Sequence, residues 1–296
     1  MCLSLIDGKI PFCCRTVIET RDISSLIEKA AAKWWFFAFL VLLFFIIPSY
    51  TQSGAGYQES QNVIKEVLTN PLIYQFSPLL WASKAAIVLL ILLLAFQGRK
   101  MARPFAVVIA LFYLGIAVFQ NTALTSSYGQ VILTGNVVLM LLVAAFWIAE
   151  ALSPVDEFTP PSVPPWKWWV VPFAALAFWF PVDPSGTTPQ FTLTNLVSNG
   201  SMLTYCMFTP ILLATLTIYY PHVNRPTMRV TSYVGIMFGM INVVEWFVLQ
   251  PSMWWMGVMH VPLITISVVA FAMTLRGKYP VGIQPRISGH TTYPGP

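Results

Sequence analysis

The chain has 296 residues, of which 57% are hydrophobic and 9% charged, with 16 Lys and Arg against 11 Asp and Glu. Its mean hydropathy is +0.71, whereas about a quarter of the residues in a soluble domain carry charge, so this composition excludes an ordinary soluble fold. The basic residues stand in short tracts beside apolar stretches and form no extended aromatic-basic platform, which excludes nucleic acid as a partner and makes them topology signals.

Residues 1–33 read as a cytoplasmic leader. Within Arg15 to Trp35, apolar Val17, Ile18, Leu26 and Ile27 are interspersed with charges, the pattern of an amphipathic surface helix whose Arg21, Lys29 and Lys33 face lipid headgroups. The leader lacks the apolar core and small-residue cleavage site of a signal peptide. Eight apolar stretches follow: Trp34 to Tyr50, Leu79 to Phe96, Phe105 to Thr122, Val131 to Glu150, Trp168 to Val182, Met202 to Tyr220, Val230 to Leu249 and Trp254 to Leu275. A helix needs roughly 20 apolar residues to cross the hydrocarbon core. The expected fold class is therefore an all-α polytopic integral membrane protein with eight transmembrane helices. The fifth stretch is the shortest and carries Pro172 and Pro181.

Two short basic hinges, Gln97 to Pro104 and Pro221 to Arg229, separate the second from the third stretch and the sixth from the seventh. With both termini in the cytoplasm, fourteen of the sixteen Lys and Arg lie inside, Lys65 falls in an outer loop and Lys84 within a span. This is the asymmetry of the positive-inside rule, and dropping the fifth span would destroy it. The expected location is a plasma or inner membrane. In the long outer loop Ser53 to Pro78, a helix near Gln58 to Leu68 would lay Val63, Ile64, Val67 and Leu68 on the membrane.

A faint repeat divides the chain. Trp34-Trp35 and a later Pro48 resemble Trp168-Trp169 and Pro181, and the loop lengths recur at offsets of about 126 to 134 residues. The domains read as a first four-helix half (34–150), a proline-rich cytoplasmic linker (151–167), a second half (168–275) and a tail (276–296). Four helices per half would give two parallel repeats, an organisation found among transporters.

Cys2, Cys13, Cys14 and Cys206 form neither a disulfide framework nor a zinc pattern. Asn199-Gly200-Ser201 matches a glycosylation sequon. Gly235 and Gly239 have the spacing that permits close helix contact. The interfacial tryptophans, among them Trp34, Trp35, Trp168 and Trp254, suit the headgroup region and require no pigment. His222, His260 and His290 are too dispersed for paired haem ligands, so no cofactor is specified.

The functional candidates are polar groups within apolar stretches at similar depth near the outer face: Lys84, Asn136, Asn242, Glu245 and His260. Lys84 and Glu245 are expected to neutralise one another while His260 exchanges a proton and the asparagines hydrogen-bond a ligand. This chemistry points to a secondary transporter or permease for a small solute, ion- or proton-coupled. A noncatalytic subunit of a larger membrane complex is the second reading, with other membrane subunits or a second copy as partners besides lipid. A lipid- or quinone-dependent enzyme is the third.

Overall fold

A computed structural model describes residues 29–159, 163–183 and 188–276. Cys2, Cys13, Cys14, most of the expected leader helix and the tail beyond Arg276 lie outside the described residues. The fold is helical, with no barrel.

Helices form within all eight apolar stretches. In chain order they are α1, Trp34–Ile46; α3, Ser77–Gln97, which follows a short helix α2, Ser60–Thr69; and α4, Ala102–Gly115, extended by a π turn at Ile116–Gln120. Next are α5, Thr134–Leu152, α6, Val170–Trp179, and a single-turn α7, Asn195–Ser198. The last three are α8, Tyr205–Tyr219; α9, Arg225–Val244, extended by a π turn at Glu245–Leu249; and α10, Trp254–Arg276. By length and composition, four helical segments can cross a bilayer: Pro78–Gln120, Thr134–Leu152, Arg225–Leu249 and Pro251–Leu275. Asn195–Leu203 and Tyr205–Tyr219, bent by 94° at their junction, make a fifth if taken as one span.

Several boundaries move for local reasons. α1 stops at Ile46 because Pro48 offers no N–H and forces Ile47 into an extended conformation, φ −79° and ψ 111°. α9 begins five residues before the expected Val230, because the Asn224 side chain caps it by accepting from Thr227 N at 3.1 Å and Pro226 suits the first turn. Between α3 and α4 the chain folds back at Gly98, whose φ of +51° is disfavoured for any side chain. The rings of Phe76 and Phe119, before α3 and at the end of α4, come within 5.8 Å of each other.

Between α4 and α5 the chain forms a hairpin. β2 (Thr122–Thr125) pairs antiparallel with β3 (Gly129–Ile132), Thr122 facing Ile132, and β1 (Tyr50–Thr51) joins the other edge, Tyr50 also facing Ile132. Here α2 departs from expectation. Val63 and Val67 are buried against Ala123, Val131 and Leu133, so half of the proposed membrane-facing stripe packs on this sheet, and only Ile64 and Leu68 remain exposed.

The core is aromatic and joins helices that run in opposite directions. Phe36 on α1 meets Phe146 near the end of α5, while Gly135, at the start of α5, lies against the carbonyl of Phe44. Phe105 on α4 packs on Trp147 and on Phe158 of the linker. Arg229 on α9 donates to Ala31 O at 3.4 Å and to Thr274 O at 2.6 Å, so both ends of the described chain lie together. α9 and α10 approach closely at the small residues. A Cβ on Gly239 would lie 2.8 Å from Ile264 Cβ and 3.0 Å from its Cα, whereas at Gly235 the obstacle is the Ser267 hydroxyl. Gly239→Ala should therefore destabilise the protein by about 1–3 kcal/mol through overpacking against backbone. Gly235→Ala should cost less, since a hydroxyl can rotate away. Thermal denaturation of the two variants in detergent checks the order.

Candidate functional site

Cations close four helix ends, each from a different part of the chain. The last carbonyls of a helix have no partner within it and carry the negative end of its dipole. At the end of α5, Arg103 donates to Ala151 O and Leu152 O at 3.1 and 3.4 Å. At the end of α8, buried Lys167 donates to Tyr220 O at 2.5 Å. Arg225 and Arg229 share Thr274 O on α10. The fourth is Lys84. It is buried, and its ammonium donates to Phe178 O, in the last turn of α6, at 2.7 Å and to Asn195 O at 2.5 Å. Ser201 Oγ also donates to Phe178 O, and Asn199 Nδ2 donates to both Trp179 O and Phe180 O. The truncated end of the shortest predicted span is thus satisfied group by group, as backbone removed from water requires. Asn199 of the sequon is one of these clasps, so its amide already has two partners.

The expected Lys84–Glu245 pair does not form. Glu245 opens the π turn and its carboxylate accepts from Gln250 Nε2, whereas the Lys84 ammonium donates to Phe178 O and Asn195 O. Asn136 is separate as well, donating to Asn121 Oδ1 at 3.0 Å, while Asn121 Nδ2 returns to Ile116 O and Ala117 O and ties down the first π turn.

Asn242 and His260 do come together, through Trp246. Trp246 Nε1 donates to Asn242 Oδ1 at 3.1 Å, and the His260 ring stacks on the indole at 6.2 Å with an interplanar angle of 29°. Asn242 Nδ2 donates to Phe238 O and contacts Cys206 Sγ on α8. His260 Nδ1 lies 2.7 Å from Met256 O. A carbonyl can only accept, so the neutral ring carries its proton on Nδ1 and keeps Nε2 as its acceptor.

From this cluster, polar groups continue along α8 toward α4. Gln120 Oε1, in the π turn that ends α4, accepts from Tyr205 N at 2.8 Å. Tyr113 OH and Thr209 Oγ1 are 3.1 Å apart in the interior, and Phe112 stacks on Phe208 beside them. The Tyr205 hydroxyl is buried and has no hydrogen-bond partner among the described residues. Charge gave no pointer to Tyr113, Gln120, Tyr205 or Thr209, because these residues are neutral and sit inside apolar runs. Pro210 was a signal that could have been used, since proline within an apolar helix often marks irregular, polar surroundings.

At the opposite end, buried Glu150 and Asp156 meet at Asn224. Glu150 Oε1 accepts from Val155 N and Asp156 N at 2.6 and 2.8 Å, and its Oε2 accepts from Asn224 Nδ2. Asp156 Oδ1 accepts from Asn224 N, whereas its Oδ2 is buried without a hydrogen-bond partner among the described residues. Burial and the neighbouring Glu150 charge hold the Asp156 carboxyl well above the usual carboxylate range. Beside them Glu157 faces His222 at 3.8 Å. Among the described residues, no group of three His, Cys, Asp or Glu side chains is arranged to hold a metal ion.

These features define a helical protein with several apolar, membrane-compatible helices. Comparison with protein-family models, with curated proteins and with solved structures finds no match to the chain.

Proposed function

We propose that the protein is an eight-crossing permease that moves a small solute between its two halves, with Asn242 and His260 contacting the solute and His260 coupling its passage to protons. The observation that carries this reading is the polar seam from Tyr113 and Gln120, in the first half, to Asn242, Trp246 and His260 in the second. Polar side chains in a bilayer are tolerated where they face one another or a pathway. Glu245, Lys84 and Asn136 border this seam rather than build it, and Glu245 is assigned to its outer mouth.

Eight crossings are supported by helices in all eight apolar stretches and by the fold-back at Gly98. The proximity of both described ends to Arg229 supports termini on one side, and the basic clasps gathered there favour the cytoplasm. Two parallel repeats gain support from matching breaks. The third apolar stretch of each half contains a five-residue π turn, at Ile116–Gln120 and at Glu245–Leu249, within the offsets read from the sequence.

Reconstitution into proteoliposomes tests the function. Solute flux above that of empty vesicles is expected, falling about tenfold in Asn242→Leu, as loss of a buried hydrogen-bonding group predicts. His260→Gln should flatten the pH dependence of flux. Absence of flux from folded native protein, together with recovery of a stable larger complex, would favour the subunit reading.

A further inference from the structure

His260 is the one seam residue able to take up charge, by protonation, and this bears on what crosses the seam. Resting on the transport reading, we infer that the permeant is a small uncharged molecule with hydrogen-bonding groups, recognised by the Tyr205 hydroxyl, and not an inorganic ion. Lys84 is held by two carbonyls of another segment, and Glu245 turns toward Gln250. The outer acid Glu66 accepts from Ser127 on the hairpin. The seam residues Tyr113, Gln120, Tyr205, Thr209 and Asn242 are all neutral. An ion leaving water needs carboxylates or a ring of carbonyls to replace its hydration shell, and the seam supplies neither. A neutral solute needs single donors and acceptors.

Tyr205 offers one of each on a rigid ring. It is 1% exposed, fixed through its backbone N–H by Gln120, and flanked by Phe238 at 4.8 Å and Tyr113 at 6.0 Å. Thr209 Oγ1, which bonds Tyr113 OH at 3.1 Å, also lies beside the Tyr205 hydroxyl without meeting hydrogen-bond geometry. A buried hydroxyl without a partner is unfavourable, and a passing hydroxyl or amide would satisfy it at the boundary between the halves.

Stopped-flow light scattering on proteoliposomes, with urea, glycerol and formamide as neutral probes, is to be run beside potassium, sodium and chloride flux on the same vesicles. Accelerated entry of at least one neutral probe is expected, about tenfold slower in Tyr205→Phe, with ion flux at the empty-vesicle level. The variant keeps the ring, and an unchanged elution profile and melting temperature establish that it is folded. Ion flux without neutral flux overturns the inference and leaves the permease standing. So does neutral flux that Tyr205→Phe leaves untouched. No flux of either kind removes both.

Discussion

Glu150→Gln is expected to destabilise the protein by about 2–3 kcal/mol, and Asp156→Asn to stabilise it, although each removes one negative charge from the same cluster. The difference lies in what each oxygen accepts. Both Glu150 oxygens receive hydrogen bonds, from Val155 N, Asp156 N and Asn224 Nδ2, so an amide NH2 placed there meets a donor. Asp156 has one accepting oxygen and one buried without a partner, and Asn retains the first. The sign with pH follows. Because the folded Asp156 carboxyl binds its proton more tightly than it would unfolded, its destabilising effect is absent below the usual carboxylate range. That effect grows as pH rises toward the elevated folded value. Asp156→Asn should remove this decline, each unit of the shift being worth about 1.4 kcal/mol. Melting curves of both variants from pH 4 to pH 8 test the pair, and matching losses of stability would refute it.

Lys84→Met should lower stability by about 2 kcal/mol, with the damage confined to the segment from Leu176 to Ser201. Removing the ammonium leaves Asn195 O without that donor and reduces Phe178 O to its bond with Ser201. Hydrogen exchange should accelerate there and remain unchanged in α9 and α10. If Lys84 instead served to neutralise Glu245, Glu245→Gln would be comparably destabilising and the two changes would be strongly non-additive. The clasp predicts a small effect of Glu245→Gln and additivity.

The sequence revealed the helices but not which partners their polar residues take. Apolar runs of helical length are legible because hydrocarbon demands them, which is why all eight stretches contain helices. Helix ends were less legible, since Pro48 and Asn224 set them through local geometry that a hydropathy window averages away. Lys84 and Glu245 attracted attention as charges in apolar surroundings, yet Lys84 answers a need created almost a hundred residues later, the open end of α6. No single-sequence pattern joins those positions. Asn242 and His260 stood out because they are polar in apolar stretches, but Trp246, which touches both, read only as another aromatic. The hairpin was missed because Thr122 to Ile132 is short and borders two strongly apolar segments that dominate its surroundings.

The clasp by Arg229 also bears on how the chain is made. It reaches Ala31, 198 residues earlier, and Thr274, 45 residues later. During synthesis α1 emerges well before α9, which brings the guanidinium that reaches Ala31, and the carbonyl that this group also holds appears only with the end of α10. Until Thr274 is made, α1 is held by its packing on α5, through Phe36 against Phe146, and the Arg229 guanidinium lacks the carbonyl that fixes it beside Ala31.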